Sequence, residues 1–245
     1  MSTLPYMRYE LLRVLRNRRF FVLSLGFPLV LYYLIAGPNH NNQNLAGSGI
    51  SAPVYYMLGM TAFGTMSAML SCGGRIAAER DVGWNRQLRI TPLSPRAYIA
   101  AKVLTAYVMA GLSIAALYIA GASLGVSIGT ERWLAMTGLI LIALIPFAPL
   151  GIAIGHHIKA DVIGPAIGGS ISLLAFLGGT WFPISGDGVL HHVAEQLPSY
   201  WLVQASHVGL GGHAWPAHAW LVIVAWTAVL SVIAVRSYRR DTSRA

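Results

Sequence analysis

Six stretches of this 245-residue chain, at 20–36, 54–72, 103–126, 133–155, 162–182 and 217–235, contain no Asp, Glu, Lys or Arg. A helix rising ~1.5 Å per residue needs roughly 20 mostly apolar residues to cross a hydrocarbon core ~30 Å thick, and lengths of about 17 and upward suffice. The spacing therefore predicts six transmembrane helices. Only 10% of the residues are charged while 56% are hydrophobic, against the ~25% charged of a soluble domain. That excludes a water-facing globule. A disordered chain would need the opposite balance. The first stretch is longer than a secretory signal core and ends in Gly37-Pro38 rather than a small-residue cleavage site, so it reads as a retained helix.

Charge is segregated. Sixteen of the seventeen Lys and Arg fall in the N-terminal segment, in the connection after the second span including Lys102, at Lys159 and in the tail from Arg236; only Arg132 lies in the opposite connections. The positive-inside rule then places both termini in the cytoplasm of a multi-pass plasma-membrane protein. The net charge of +9 becomes a topology signal, and nucleic acid is not expected as a partner. Tyr32, Tyr33, Tyr55, Tyr56, Trp133, Trp181, Trp215 and Trp220 cluster at the expected outer ends, where amphipathic rings favour the headgroup zone.

Between the spans, residues 1–19 interleave Tyr6, Tyr9, Leu11, Leu12, Val14 and Leu15 with Arg8, Arg13, Arg16, Arg18 and Arg19. This pattern predicts an amphipathic interfacial helix facing anionic lipid. In the outer connection, Val189, Val193 and Leu197 form one face of a short helix ended by Pro198, and Tyr200, Trp201 and Leu202 are expected to dip into the outer leaflet.

Several chemistries lack their residues. A lone Cys72 allows no intramolecular disulfide. Adjacent pairs such as His156-His157 and His191-His192 point about 100° apart on a helix, so no metal site is expected. The predicted spans hold no carboxylate to serve as a proton relay or intramembrane catalyst. No Gly-x-x-x-x-Gly-Lys-Ser/Thr run is present, so a P-loop of this chain cannot supply the driving energy, and the chain is not expected to be an enzyme. Four Gly-x-x-x-Gly spacings, at 121/125, 125/129, 151/155 and 164/168, exceed the roughly three that 26 glycines give by chance too little to carry a packing signal.

The connection 73–97 is richest in signal. Charges stand beside Trp84, Leu88, Ile90 and Leu93, and Pro92 and Pro95 stop any helix there. The run Glu79-Arg80-Asp81-Val82-Gly83, with Leu88 and Thr91-Pro92-Leu93-Ser94, resembles the signature loop of ABC-2 type transport permeases, the membrane subunits of type V ABC exporters. Asp81 stands where that family commonly has glutamate, and Trp84 where it has a small or hydroxyl residue. The resemblance spans nearly the whole chain. It implies a single all-α membrane domain of six spans with an N-terminal interfacial helix, a cytoplasmic coupling loop at 73–97, short outer helices before the last span, and a tail at 236–245. It also implies a homodimer working with a separate P-loop ATPase that binds ATP and Mg²⁺, with no cofactor in this chain. Under it, Glu79, Arg80, Asp81, Gly83, Leu88, Thr91, Pro92 and Leu93 form the partner-binding coupling helix. A substrate path is expected past Tyr55, Met57, Phe63, Met66 and Phe176, and the implied activity is bacterial drug or antibiotic efflux. Lipid, glycan or haem-type export and an ion-coupled secondary carrier are the alternatives.

Overall fold

The computed structural model describes residues 3–17, 21–42, 44, 45, 50–84, 87, 90, 91, 93–182, 184, 188–210 and 215–243, and among them every regular element is helical. In chain order these are α1 (Thr3–Leu15), a π-helical turn (Val22–Gly26) leading into α2 (Phe27–Ala36), α3 (Ala52–Asp81), α4 (Pro95–Ser123), α5 (Thr130–Ala143), α6 (Phe147–His157), α7 (Ile163–Leu177), α8 (Val189–Ala194), α9 (Pro198–His207) with a 3-10 turn (Val208–Leu210) after it, and α10 (Ala217–Ser243).

Among the described residues, three segments are long and apolar enough to cross a membrane: Pro95–Ser123, Thr130–His157 and Ala217–Asp241; Ser24–Ala36 and Ile163–Leu177 are shorter apolar helices. Prolines interrupt two of the predicted spans. Pro28 has no N–H, and its ring would crowd the carbonyl four residues back, so the preceding turn widens into the π-helix at Val22–Gly26. Pro146 cannot donate to Ile142, and the chain turns tightly between α5 and α6 before helix resumes at Phe147.

Helix α3 is the axis of the bundle. Thirty residues at ~1.5 Å give a rod of about 45 Å, longer than a hydrocarbon core is thick, so residues expected as loop from 73 onward continue the helix to Asp81. It packs on α2, α4, α6, α7 and α9, which buries it on all sides and explains why Thr61 and Thr65 donate their hydroxyls back to the carbonyls of Met57 and Thr61. By contrast α10 leaves Leu221, Val224 and Val229 more than half exposed, a surface that suits lipid and not water.

Helices α3 and α6 approach each other closely through glycines. A Cβ on Gly73 would overlap the Gly151 carbonyl oxygen, and one on Gly155 would stand 2.6 Å from that of Gly73. Among the four Gly-x-x-x-Gly spacings, 151/155 is thus the pair that seats one backbone on another, whereas Gly125, Gly129, Gly164 and Gly168 face open space.

Several expected surface residues prove internal. Tyr32 and Tyr55 are buried, the latter donating to the Gly179 carbonyl at 3.0 Å, and Trp215 is buried too. Only part of the aromatic set therefore has the exposure of an interfacial belt. Tyr200, Trp201 and Leu202, expected in the outer leaflet, are buried because α9 packs against α3 and α5. Pro198 opens α9 as well as closing the turn after α8. The exposed apolar face there belongs to Val189, Leu190 and Val193 of α8, and the indoles of Trp201 and Trp226 satisfy the carbonyls of Glu195 and Gln196 that follow it.

Candidate coupling site

The arginine-rich end of the bundle gathers the termini of α1, α3, α4, α6 and α10 around residues 79–94. Helix α3 ends at Asp81 and is closed by Gly83, whose φ of +70° is the left-handed conformation that glycine adopts without penalty just past a helix end. Helix α4 restarts at Ser94, whose Oγ accepts the Ala97 N–H at 3.2 Å, followed by Pro95 in the first turn. Between these caps Asp81 is exposed, Val82 is 74% exposed and Ile90 88% exposed, while Trp84, Thr91 and Leu93 are half-buried. Leu88 and Pro92 lie outside the described residues.

Glu79 faces inward and is 2% exposed. Its carboxylate accepts from Arg13 Nη1 at 2.7 Å, from Lys102 Nζ at 2.5 Å and from Tyr98 Oη at 2.7 Å. Lys102, fully buried, also donates to Glu10 Oε1 at 2.6 Å, and Arg75 Nε lies 3.7 Å from the same oxygen. Two carboxylates and three cations from three helices thus form one network. Burying such charges is costly unless each is paired and hydrogen-bonded, and here each carboxylate meets more than one cation. Partial burial works against the Arg13 charge, yet Glu79 and Glu10 outweigh it and hold the guanidinium pKa above its ordinary value. Burial, reinforced by Glu10 and Glu79, raises the Tyr6 hydroxyl pKa, so Tyr6 stays neutral beside them.

Sequence reasoning missed Glu10 and gave Lys102 only a topological role. The available signal was Glu10 four residues after Tyr6 and four before Val14, a lone carboxylate on an apolar stripe. Those three residues are the buried face of α1, while Tyr9, Leu12 and Leu15 are exposed together with Arg8. The apolar residues of α1 therefore divide between the protein and the outside instead of forming one lipid-facing stripe.

Among the residues expected to form the coupling helix, Glu79 is an internal anchor, Arg80 is half-buried against α6 and α10, Asp81 is the outward acid, and Gly83 shapes the turn. The expected substrate-path residues do not meet on one surface. Met57 and Met66 are fully buried in the core, Tyr55 is held by its bond to Gly179, Phe63 packs between Phe27 and Trp181 with centroids 5.8 and 5.9 Å away, and Phe176 is 53% exposed beside Phe182.

The family model described as ABC-2 family transporter protein matches residues 29–236. The chain belongs to the ABC-2 transporter family. It is also 32% identical over 210 residues, 84% of this chain and 81% of the other, to the Bacillus subtilis (strain 168) protein named Putative transport permease YvfS. This ABC-2 chain is accordingly a membrane permease subunit of an ABC transporter, a class that works with an ATP-binding subunit.

Proposed function

We propose that the chain is the six-span permease of an ATP-driven exporter, with both termini cytoplasmic, two copies per transporter, and a separate ATPase docked on the turn from Asp81 to Thr91. The observation that carries this reading is the turn itself. It presents an acid and two large apolar side chains, Asp81, Val82 and Ile90, to the outside, while its two flanking helices are bolted together behind it through Glu79 and Lys102. Such a mount transmits a push into α3 instead of absorbing it. The six spans are the five apolar segments together with α3, which reads as less apolar because Thr, Ser, Gly and Met fill an all-round buried helix.

The cargo this reading favours is a hydrophobic small molecule moved outward. Supporting it are the rings of Phe27, Phe176 and Phe182, each 48–62% exposed, which offer an apolar, polarizable surface. Lipid export uses the same kind of surface, and a transport assay with both cargo classes separates them.

Gentle purification of the tagged chain is expected to bring down a P-loop ATPase. Asp81→Arg should lower the recovered ATPase at least about tenfold, the equivalent of roughly 1.4 kcal/mol, without changing the amount of folded permease, because Asp81 is exposed. Equal recovery with Asp81→Arg would place the docking surface elsewhere.

A further inference from the structure

Glu79 and Arg80 are consecutive on α3 and therefore point about 100° apart. Glu79 ties α3 to α1 and α4. Arg80 turns the other way. Its Nε stands 2.7 Å from Asp241 Oδ2, and its Nη1 donates to the Gly155 carbonyl at 2.9 Å, at the negative end of the α6 dipole. His156 Nδ1 lies 3.0 Å from the same Asp241 oxygen; its side chain is 1% exposed, and the Tyr238 ring meets it edge-on at 5.5 Å. One carboxylate near the end of α10 thus collects a cation from α3 and an imidazole from α6. Nothing in the proposed docking of an ATPase requires this, and the tail reads from sequence as a basic flank only.

We infer that Asp241 is a positioning residue of the coupling apparatus: through Arg80 and His156 it fastens the ends of α10 and α6 to the end of α3. With Glu79 holding α1 and α4, displacement of the turn at 81–91 then moves all five helix ends as one body. Neighbouring α3 residues divide the task, one for each side of the bundle. The inference rests on the reading that an ATPase docks at that turn. The bland alternative is a half-exposed ion pair, whose side chains are 27% and 25% exposed and which contributes little beyond local order.

The test uses the full-length permease with its co-purified ATPase in lipid nanodiscs. Cys72, which is buried, is replaced by alanine, and spin labels are placed at Ala78→Cys on α3 and Arg236→Cys on α10, both exposed positions. The label-to-label distance is read with ADP and with ATP plus vanadate. In the parent protein the distance is expected to stay the same in the two nucleotide states. In Asp241→Asn the distribution should at least double in width and shift with nucleotide, while Asp241→Glu restores the parent behaviour. Arg80→Gln serves as a second variant with the same expected broadening, should Asp241→Asn not yield monodisperse protein. Parent-like distributions in both Asp241→Asn and Arg80→Gln would overturn the inference, because a merely local ion pair leaves the distance unchanged. Recovery of the ATPase is scored separately. If no ATPase accompanies the parent chain, the docking reading fails, and the width in the permease alone still decides whether Asp241 fastens α10 to α3.

Discussion

Lys102→Met is expected to destabilise the permease by about 3–5 kcal/mol, the penalty for stripping a buried charge network of one partner. Lys102 is fully buried and its Nζ is shared by Glu10 and Glu79, so its loss leaves two carboxylates in a region with little water. Arg13 and Tyr98 still reach Glu79, but Glu10 keeps only the longer approaches of Arg13 at 3.8 Å and Arg75 at 3.7 Å. The double change Lys102→Met/Glu10→Gln should therefore recover most of the lost stability, since it removes the charge that has no close partner. Thermal unfolding in detergent reads both effects, with an expected drop on the order of 10 °C for the single change. A single variant as stable as the parent would mean that the network contributes nothing to folding.

A second large effect is expected where α3 crosses α6. Gly155→Leu drives a side chain into the Gly73 backbone, 2.6 Å from its carbonyl oxygen and 2.8 Å from its Cα. Backbone cannot rotate out of the way as a side chain does, so the two helices must separate. Overpacking of this kind costs about 1–3 kcal/mol and occasionally more, and here it also displaces the Gly155 carbonyl that accepts from Arg80. Loss of monodisperse protein on size exclusion is the expected outcome. Gly168→Leu is the matched control, because a Cβ there meets nothing within 4 Å, and the single chain should fold normally. If the two variants behave alike, close α3–α6 packing is not what holds the bundle.

The apolar stretches made the all-helical membrane class legible, because segments of that length without a single charge bury their backbone in lipid far more readily than they meet water. The break between α3 and α4 was legible from the prolines at 92 and 95, although Pro95, expected to end a helix, opens α4 behind the Ser94 cap. Direction of facing was not. Glu79 and Asp81 are two residues apart and read alike as acids, yet they point to opposite sides of α3, one into the network and one outward. Deciding that requires knowing which helices pack on α3. Glu10, Lys102 and Asp241 escaped for the same reason. Glu10 meets Lys102 across 92 positions of chain, Lys102 meets Glu79 across 23, and Asp241 meets an arginine on a different helix. The methionines of α3 show how burial is hidden in the sequence. A stripe of large soft side chains suggests a path for cargo, but Met57 and Met66 are covered by neighbouring helices of the same chain.

If an ATPase subunit drives this permease through the turn after α3, site-specific photocrosslinking captures the contact. A photoreactive residue at Val82, 74% exposed on the turn, is compared with one at Ile119, 72% exposed on the apolar flank of α4. Position 82 is expected to crosslink to a P-loop ATPase in intact cells, and position 119 is not. Crosslinking at neither position, or equally at both, would contradict docking at that turn.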